Sequence, residues 1–347
     1  MKKITIYFSM LILVVVLSSS AWVKLTLLRP AVVSFPHDIQ TVVIVDRTLP
    51  ADERRNRVEE FLTGEVFRQD EQGVQHAIDG FVKTIQNSPR FKVEYSTDKL
   101  IGETSGTIFP KALSWSTIER LCSKYNADAV VALETYDSDY ILTDGSRLVE
   151  HKDKDGNVTK VKEFFAEGVA TVDMGFRFYY PAQQSISDQF QFSDKMNWNG
   201  SGASPTDALK GMLEKVDAIN EVSYASGRSY AMRISPTYYQ VTRYFYNAPK
   251  KNEYLVEGVR KSEVADWKGA IESWQMAIKK GKKDKDKGRA AFNIAVAYEV
   301  LGDFDQALEW ASKAYTVYGE KDANDYHRDL KNRKNNDALV RRQLGEE

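Results

Sequence analysis

Four acidic side chains stand where an α/β protein would place chemistry. Asp46 closes the run QTVVIVD, and Glu134, Asp137 and Asp139 follow the apolar run AVVAL. Paired carboxylates can divide acid and base roles or bind a cation, and open α/β sheets take ligands at the carboxyl ends of their strands. Asp46 and Glu134 are therefore the candidate ligand-site residues. The plainer reading makes Asp46 a loop cap and Asp137 and Asp139 a solvated turn. Other constellations are missing from the sequence. There is no phosphate-binding G-x-x-x-x-G-K-[ST], no G-x-G-x-x-G, no H-E-x-x-H and no G-x-S-x-G. The four histidines, His37, His76, His151 and His327, lack ligand spacing, and the one cysteine, Cys122, sits on a helix face beside Leu121 without a local base. We expect no cofactor, no metal and no catalysis.

Two further stretches are chemically biased. GRSYAMRISPTYYQVTRYFY, Gly227 to Tyr246, interleaves arginine with tyrosine. Such a stretch can stack bases or sugars, or line a protein interface. With 48 basic against 49 acidic side chains, no net field recruits nucleic acid. An interdomain or partner contact is the expectation, with Tyr238, Tyr239 and Arg243 as its residues, and glycan or peptidoglycan contact is the alternative. Lys279 to Arg289 carries seven Lys or Arg, and reads as a mobile loop between helices.

The elements that must position these residues alternate. Gln40–Asp46, Arg90–Tyr95 and Ala129–Tyr136 read as strands; Gln72–Gln86 and Trp115–Tyr125 read as helices, the second capped by Ser114. Strand–helix–strand–helix–strand predicts a mostly parallel sheet. From Ile141 the period changes: a hairpin with its turn at Lys154 to Asn157, a strand over Ala166–Tyr179, a strand through Phe190 and Phe192, a flexible turn over Asn197–Ser204, and one long helix over Pro205–Ser226 with Leu209, Met212, Leu213, Val216 and Ile219 inward. An extended lead-in with one strand, Trp22–Leu28, precedes all this.

Gly288 to Tyr315 has two helical faces broken at Gly302-Asp303. Ala291, Ile294, Ala295 and Tyr298 make one face; Phe304, Ala307, Leu308, Ala311 and Ala314 make the other. Trp267, Ala270, Ile271, Trp274 and Ala277 echo the second face, with Gly258 in the small position of a preceding helix. The pattern resembles a tetratricopeptide repeat, present about twice, with a further helix over Asn324–Leu344. That resemblance implies a short groove, for which Trp267, Asn293, Val296 and Tyr298 are the partner-binding candidates. The region Gln40 to Ala231, where a helix ending in Ala127-Asp128 feeds an apolar strand, resembles the α/β domains of envelope-assembly lipoproteins. The curli secretion lipoprotein and the penicillin-binding-protein activators are examples. The joined pair of domains resembles a Bacteroidetes envelope family of unknown function.

Met1 to Ser20 has Lys2 and Lys3 before the apolar run Ile4–Leu17, a pattern of secretory signal peptides. Ser20 stands where a lipoprotein leader would have its lipidated cysteine. Membrane association would then come only through an uncleaved leader. The expected organisation is a leader over 1–20, an extended lead-in over 21–37, a mixed α/β domain over 38–247, an all-α helical-hairpin domain over 250–318 and a polar helical tail over 319–347. The expected function is a non-catalytic scaffold in the periplasm or envelope that binds a protein partner.

Overall fold

The computed structural model describes residues 21–49, 66–102, 108–154, 156–210, 212, 214–247 and 252–346. The leader and the polar segment after Leu49 lie outside these residues. The chain divides into two compact units, neither contiguous in sequence. One holds Leu28–Tyr238 with Asp337–Glu347; the other holds Tyr239–Asn336 with the described part of Met1–Leu27.

The first unit is built on a five-stranded sheet in the order β3-β2-β4-β5-β6. Strand β2 spans Thr41–Leu49, β3 Lys92–Ile101, β4 Ala129–Lys152, β5 Val158–Tyr180 and β6 Ser185–Gly202. Strand β2 lies between β3 and β4 and is parallel to both, while β4–β5 and β5–β6 are antiparallel. The sheet is thus mixed. Val42, Val43, Ile44 and Val45 are all fully buried, because an unbroken β-branched run can only be satisfied with both faces covered.

Helices supply that cover. On one face, Val42, Ile44, Val131, Leu133, Met174 and Phe176 share a core with helices α1 (Val66–Gln86) and α4 (Lys215–Ile234). On the other, Val43, Val45, Val130 and Ala132 meet Ile118, Leu121 and Cys122 of α2 (Trp115–Tyr125). Ser114 caps α2 as its sequence predicts, accepting from the Thr117 N–H at 3.3 Å. Asn126 ends that helix at φ 50°, and Asp128 then accepts the N–H groups of Gln40 and Thr41 at 2.8 Å each. The Ala-Asp pair therefore staples the start of β4 to the start of β2. Burial pushes the Cys122 thiol up to about 11, which leaves it a core residue.

Three expectations need correction. Ala129–Tyr136 and the Ile141 hairpin arm form one strand, β4, paired with β5 from Val130↔Tyr179 to Lys152↔Val158. Asn197–Gly202 belong to β6, paired opposite Phe164–Val169; glycines at 200 and 202 mark close backbone approach, not a turn, since a Cβ on Gly200 would lie 1.9 Å from the Ala208 carbonyl oxygen. The helix expected over Pro205–Ser226 is two: α3 (Pro205–Leu209), capped by Ser204, and α4. Of the residues expected inward, Ile219 is fully buried, whereas Leu209 and Val216 are exposed.

The second unit stacks hairpins: α5 (Glu253–Glu263) with α6 (Trp267–Lys280), then α7 (Asp284–Val300) with α8 (Phe304–Thr316), followed by α9 (Asp322–Leu344), which runs past the unit's boundary. Gly258 fills the small position: a Cβ there would lie 2.3 Å from Trp274 Nε1. The basic run is mostly helix. Only Gly281–Lys283 separates α6 from α7, and Asp284 and Asp286 begin α7 where its dipole favours acids. Strands β1 (Ala21–Arg29) and β7 (Thr237–Phe245) pair as a separate two-stranded ribbon. Ala21, Val23 and Phe245 pack on the repeat core.

Helices α1 and α4 cross in near contact. A Cβ on Gly227 would lie 1.8 Å from the Ala77 carbonyl oxygen, and one on Gly80 would lie 2.1 Å from that of Tyr224. Gly227→Ala is expected to cost roughly 1–3 kcal/mol of stability by overpacking, read as a lower urea midpoint with unchanged slope.

Candidate functional site

The strand ends come first. The chain passes from β2 to β3 on one side and then from β3 back across β2 to β4 on the other, so the crevice beyond the carboxyl end of β2 is a switch point. Asp46 lies there, nearly buried, in an open cleft of about 360 Å³ shared with Glu71, Gln72, Val74, Gln75 and Lys99. Its Oδ1 accepts both the Thr48 N–H at 2.9 Å and the Thr48 hydroxyl at 2.7 Å. Lys99 pairs with Glu71 at 2.8 Å. Nearby Asp70 accepts the Ser138 hydroxyl at 2.5 Å, and burial, with Asp137 adding to it, raises its carboxyl to about 6. Asp137 is also raised by burial and by Asp173.

Glu134 does not join Asp46. Asp46 shares a face of β2 with Val42 and Ile44, while Arg47, the partner of Glu134, shares the other with Val43 and Val45. The two carboxylates therefore point to opposite sides of the sheet and cannot act as an acid–base pair. Glu134 is fully buried, 2.6 Å from Arg47 Nη1 and 3.7 Å from Arg177 Nη1, and accepts the Tyr179 hydroxyl at 2.5 Å. Burial raises its carboxyl while Tyr179 and the two guanidiniums pull it back. Arg47 also donates to the Lys111 carbonyl and Arg177 to the Pro110 carbonyl, both at 2.7 Å. The cluster is a buried clamp that holds the chain before α2 against the sheet. Arg47, Arg177 and Tyr179 escape a sequence reading. The available signal is alternation along β2 and β5, which places a cation beside an acid on an otherwise apolar face.

In the repeat unit, the predicted groove residues divide. Asn293 and Val296 are fully buried. Asn293 accepts the Tyr246 N–H at 2.8 Å and donates to the Tyr246 carbonyl at 2.9 Å, so both ends of its amide hold the chain's own backbone. Arg243 makes a two-pronged pair with Glu299 at 2.7 and 3.0 Å, and the Tyr326 hydroxyl donates to the same carboxylate at 2.7 Å. Phe245 stacks on Trp267 and Trp274 at 5.9 and 5.5 Å. The Arg243–Tyr246 segment thus occupies the inner surface that the repeat pattern assigns to a partner. Tyr298 and Trp267 are half-buried against that core.

Trp267 also walls an open cleft of about 630 Å³ with Trp22, Lys24, Phe245, Asn247, Ser262 and Glu263. On β7 the tyrosines alternate: Tyr238 and Tyr244 are 55% and 60% exposed, and Tyr239 is half-buried.

Among the described residues, no group of three or more His, Cys, Asp or Glu is placed to hold a metal ion, and no helix is long and apolar enough to cross a membrane. The family described as Domain of unknown function (DUF8603) matches residues 39–246, which spans the whole five-stranded sheet and all of β7. The chain belongs to that family. A second family, Domain of unknown function (DUF6340), matches residues 256–335, the helical hairpins. No curated protein matches the chain. Among solved structures, it is similar to a neuraminyllactose-binding hemagglutinin homolog from Helicobacter pylori. The identity is 10% over 57% of this chain and 82% of that one, and the TM-score is 0.23.

Two outcomes test these assignments. Asp70→Asn should stabilise the protein by about 1–3 kcal/mol at pH 7. A carboxyl raised in the folded state destabilises as pH rises from about 4 to its folded value of about 6, so the gain should vanish below pH 4; urea midpoints across that range measure it. Asn293→Ala should cost roughly 1–3 kcal/mol, because the part-buried N–H and carbonyl of Tyr246 lose their partners. Amide exchange at Tyr246 should accelerate with it.

Proposed function

We propose that this chain is an exported, non-catalytic scaffold of the cell envelope that docks a protein partner through its antiparallel strands. The observation that carries this reading is the far end of the β4–β5 pair. Strand β6 accompanies β5 only from Phe164 onward, so Arg147–Lys152 and Val158–Glu163 project as a two-stranded ribbon. Ile141, Leu142, Leu148, Val158 and Val161 along this pair are exposed, from 43% to 69%. Aliphatic side chains clustered in water on a projecting element mark an interaction surface. Arg147 and Glu163, paired across the strands at 2.8 Å, and Lys152, Lys160 and Lys162 give it a polar rim. Asn293 holds the backbone of Tyr246 and Val296 is buried in the repeat core, which moves the partner contact from the repeats' inner surface to this ribbon. The leader, Lys2 and Lys3 before Ile4–Leu17, supports export, and an uncleaved leader would be the route to the membrane.

A second reading, glycan or peptidoglycan binding, has its own observation. The cleft beside Trp22 and Trp267 combines aromatic walls with Lys24, Asn247, Ser262 and Glu263. This is the mix of apolar platform and polar groups that ligand sites use.

Crosslinking and affinity capture of the full chain from its native envelope separates the two. The docking reading expects a stoichiometric protein partner, lost in Val158→Lys/Val161→Lys and kept in Trp22→Ala. Sedimentation with purified peptidoglycan, lost in Trp22→Ala, with no partner lost in the ribbon variant, would overturn it.

A further inference from the structure

The β2-side edge of β4 has a sequence that fits itself. Strand β2 accompanies β4 only to Asp46↔Leu133, whereas β5 accompanies it on the other side to Lys152↔Val158. Beyond Leu133, no strand among the described residues pairs with β4 on the β2 side. Such an edge is a template for strand addition unless it is blocked by proline, bulges or inward charges. Thr135 to Lys152 contains no proline, and its only register shift lies between Leu133 and Thr135. Exposed Ile141 and Leu142 sit on the edge strand itself.

Charge along this strand is split at Gly145. Asp137, Asp139 and Asp144 precede it with no base among them; Arg147, His151 and Lys152 follow it, with Glu150 the one acid. A parallel mate would set acid beside acid. An antiparallel copy sets the acidic half against the basic half. A two-fold axis perpendicular to the sheet keeps every residue on its own face, so opposed residues must be an even number apart. With the axis at Gly145, Leu142 faces Leu148, Ile141 faces Val149, and Asp139 faces His151. No like charges are directly opposed between Asp139 and His151. Moving the axis to Asp144 or Ser146 separates the aliphatic pairs.

We infer that β4 pairs, antiparallel and edge to edge, with β4 of a second copy of this chain, joining the two sheets through their β4 edges with Gly145 on the two-fold axis. The inference rests on reading the ribbon as an interaction element. A self-complementary patch of this kind is what a two-fold interface requires. Each cross-strand pair occurs twice in the dimer, so single changes count double.

The test uses the purified full chain and sedimentation velocity over a concentration series, without any other protein. It can therefore fail while a different partner is captured from cells, and succeed where none is. The wild type should sediment as a dimer. Leu142→Lys/Leu148→Lys, both exposed positions, should be monomeric with unchanged far-UV circular dichroism. Asp139→Lys should weaken the dimer by roughly tenfold, and Asp139→Lys/His151→Glu should restore it. A wild type that stays monomeric, or a dimer indifferent to the two lysines or to the charge exchange, would overturn the inference.

Discussion

Strand β2 is nine residues long and β4 is 24, and this mismatch governs the sheet unit. Over their shared length both strands are buried on both faces, which demands helices above and below. Past its pairing with β2, β4 continues with no parallel neighbour among the described residues. Its second half pairs with β5 and leaves the sheltered part of the sheet. The same strand is thus core at Val131 and solvent-exposed at Leu148.

The point of departure is where the fold keeps its buried charge. Glu134 follows the last β2-paired residue, Leu133, beside the irregularity between Leu133 and Thr135. Two guanidiniums and a phenol surround it, and their remaining donors hold the Pro110 and Lys111 carbonyls. A buried carboxylate so placed is stable only as part of that set. It ties the connection before α2 to the sheet. Asp46, on the other face, keeps one open cleft at the strand ends.

In the repeat unit the analogous constraint is backbone satisfaction. Residues after β7 leave the two-stranded ribbon and need partners for their N–H and carbonyl groups. Asn293 supplies both for Tyr246, and Glu299 gathers Arg243 and Tyr326. The face with the repeat signature is therefore filled by the chain itself.

Much of this was legible in the sequence. The period of Gly288–Tyr315 names the helical hairpins, Ser114 names the start of α2, and QTVVIVD names a strand covered on both sides, because local pattern and capping depend on neighbours a few residues away. The antiparallel extension that makes the sheet mixed was legible from the change of period at Ile141, but the two-part helix after Pro205 and the length of β4 were not. They depend on which strand lies beside which, and Asn197–Gly202 reads as a turn until β5 is placed against it. The candidate sites divide the same way. Sequence alone put Asp46 and Glu134 at strand ends and Trp267, Asn293 and Val296 on repeat helices. Only the tertiary structure decided that the carboxylates face apart and that Asn293 holds Tyr246, because the side of a strand and the occupant of a groove are set by residues distant in the chain.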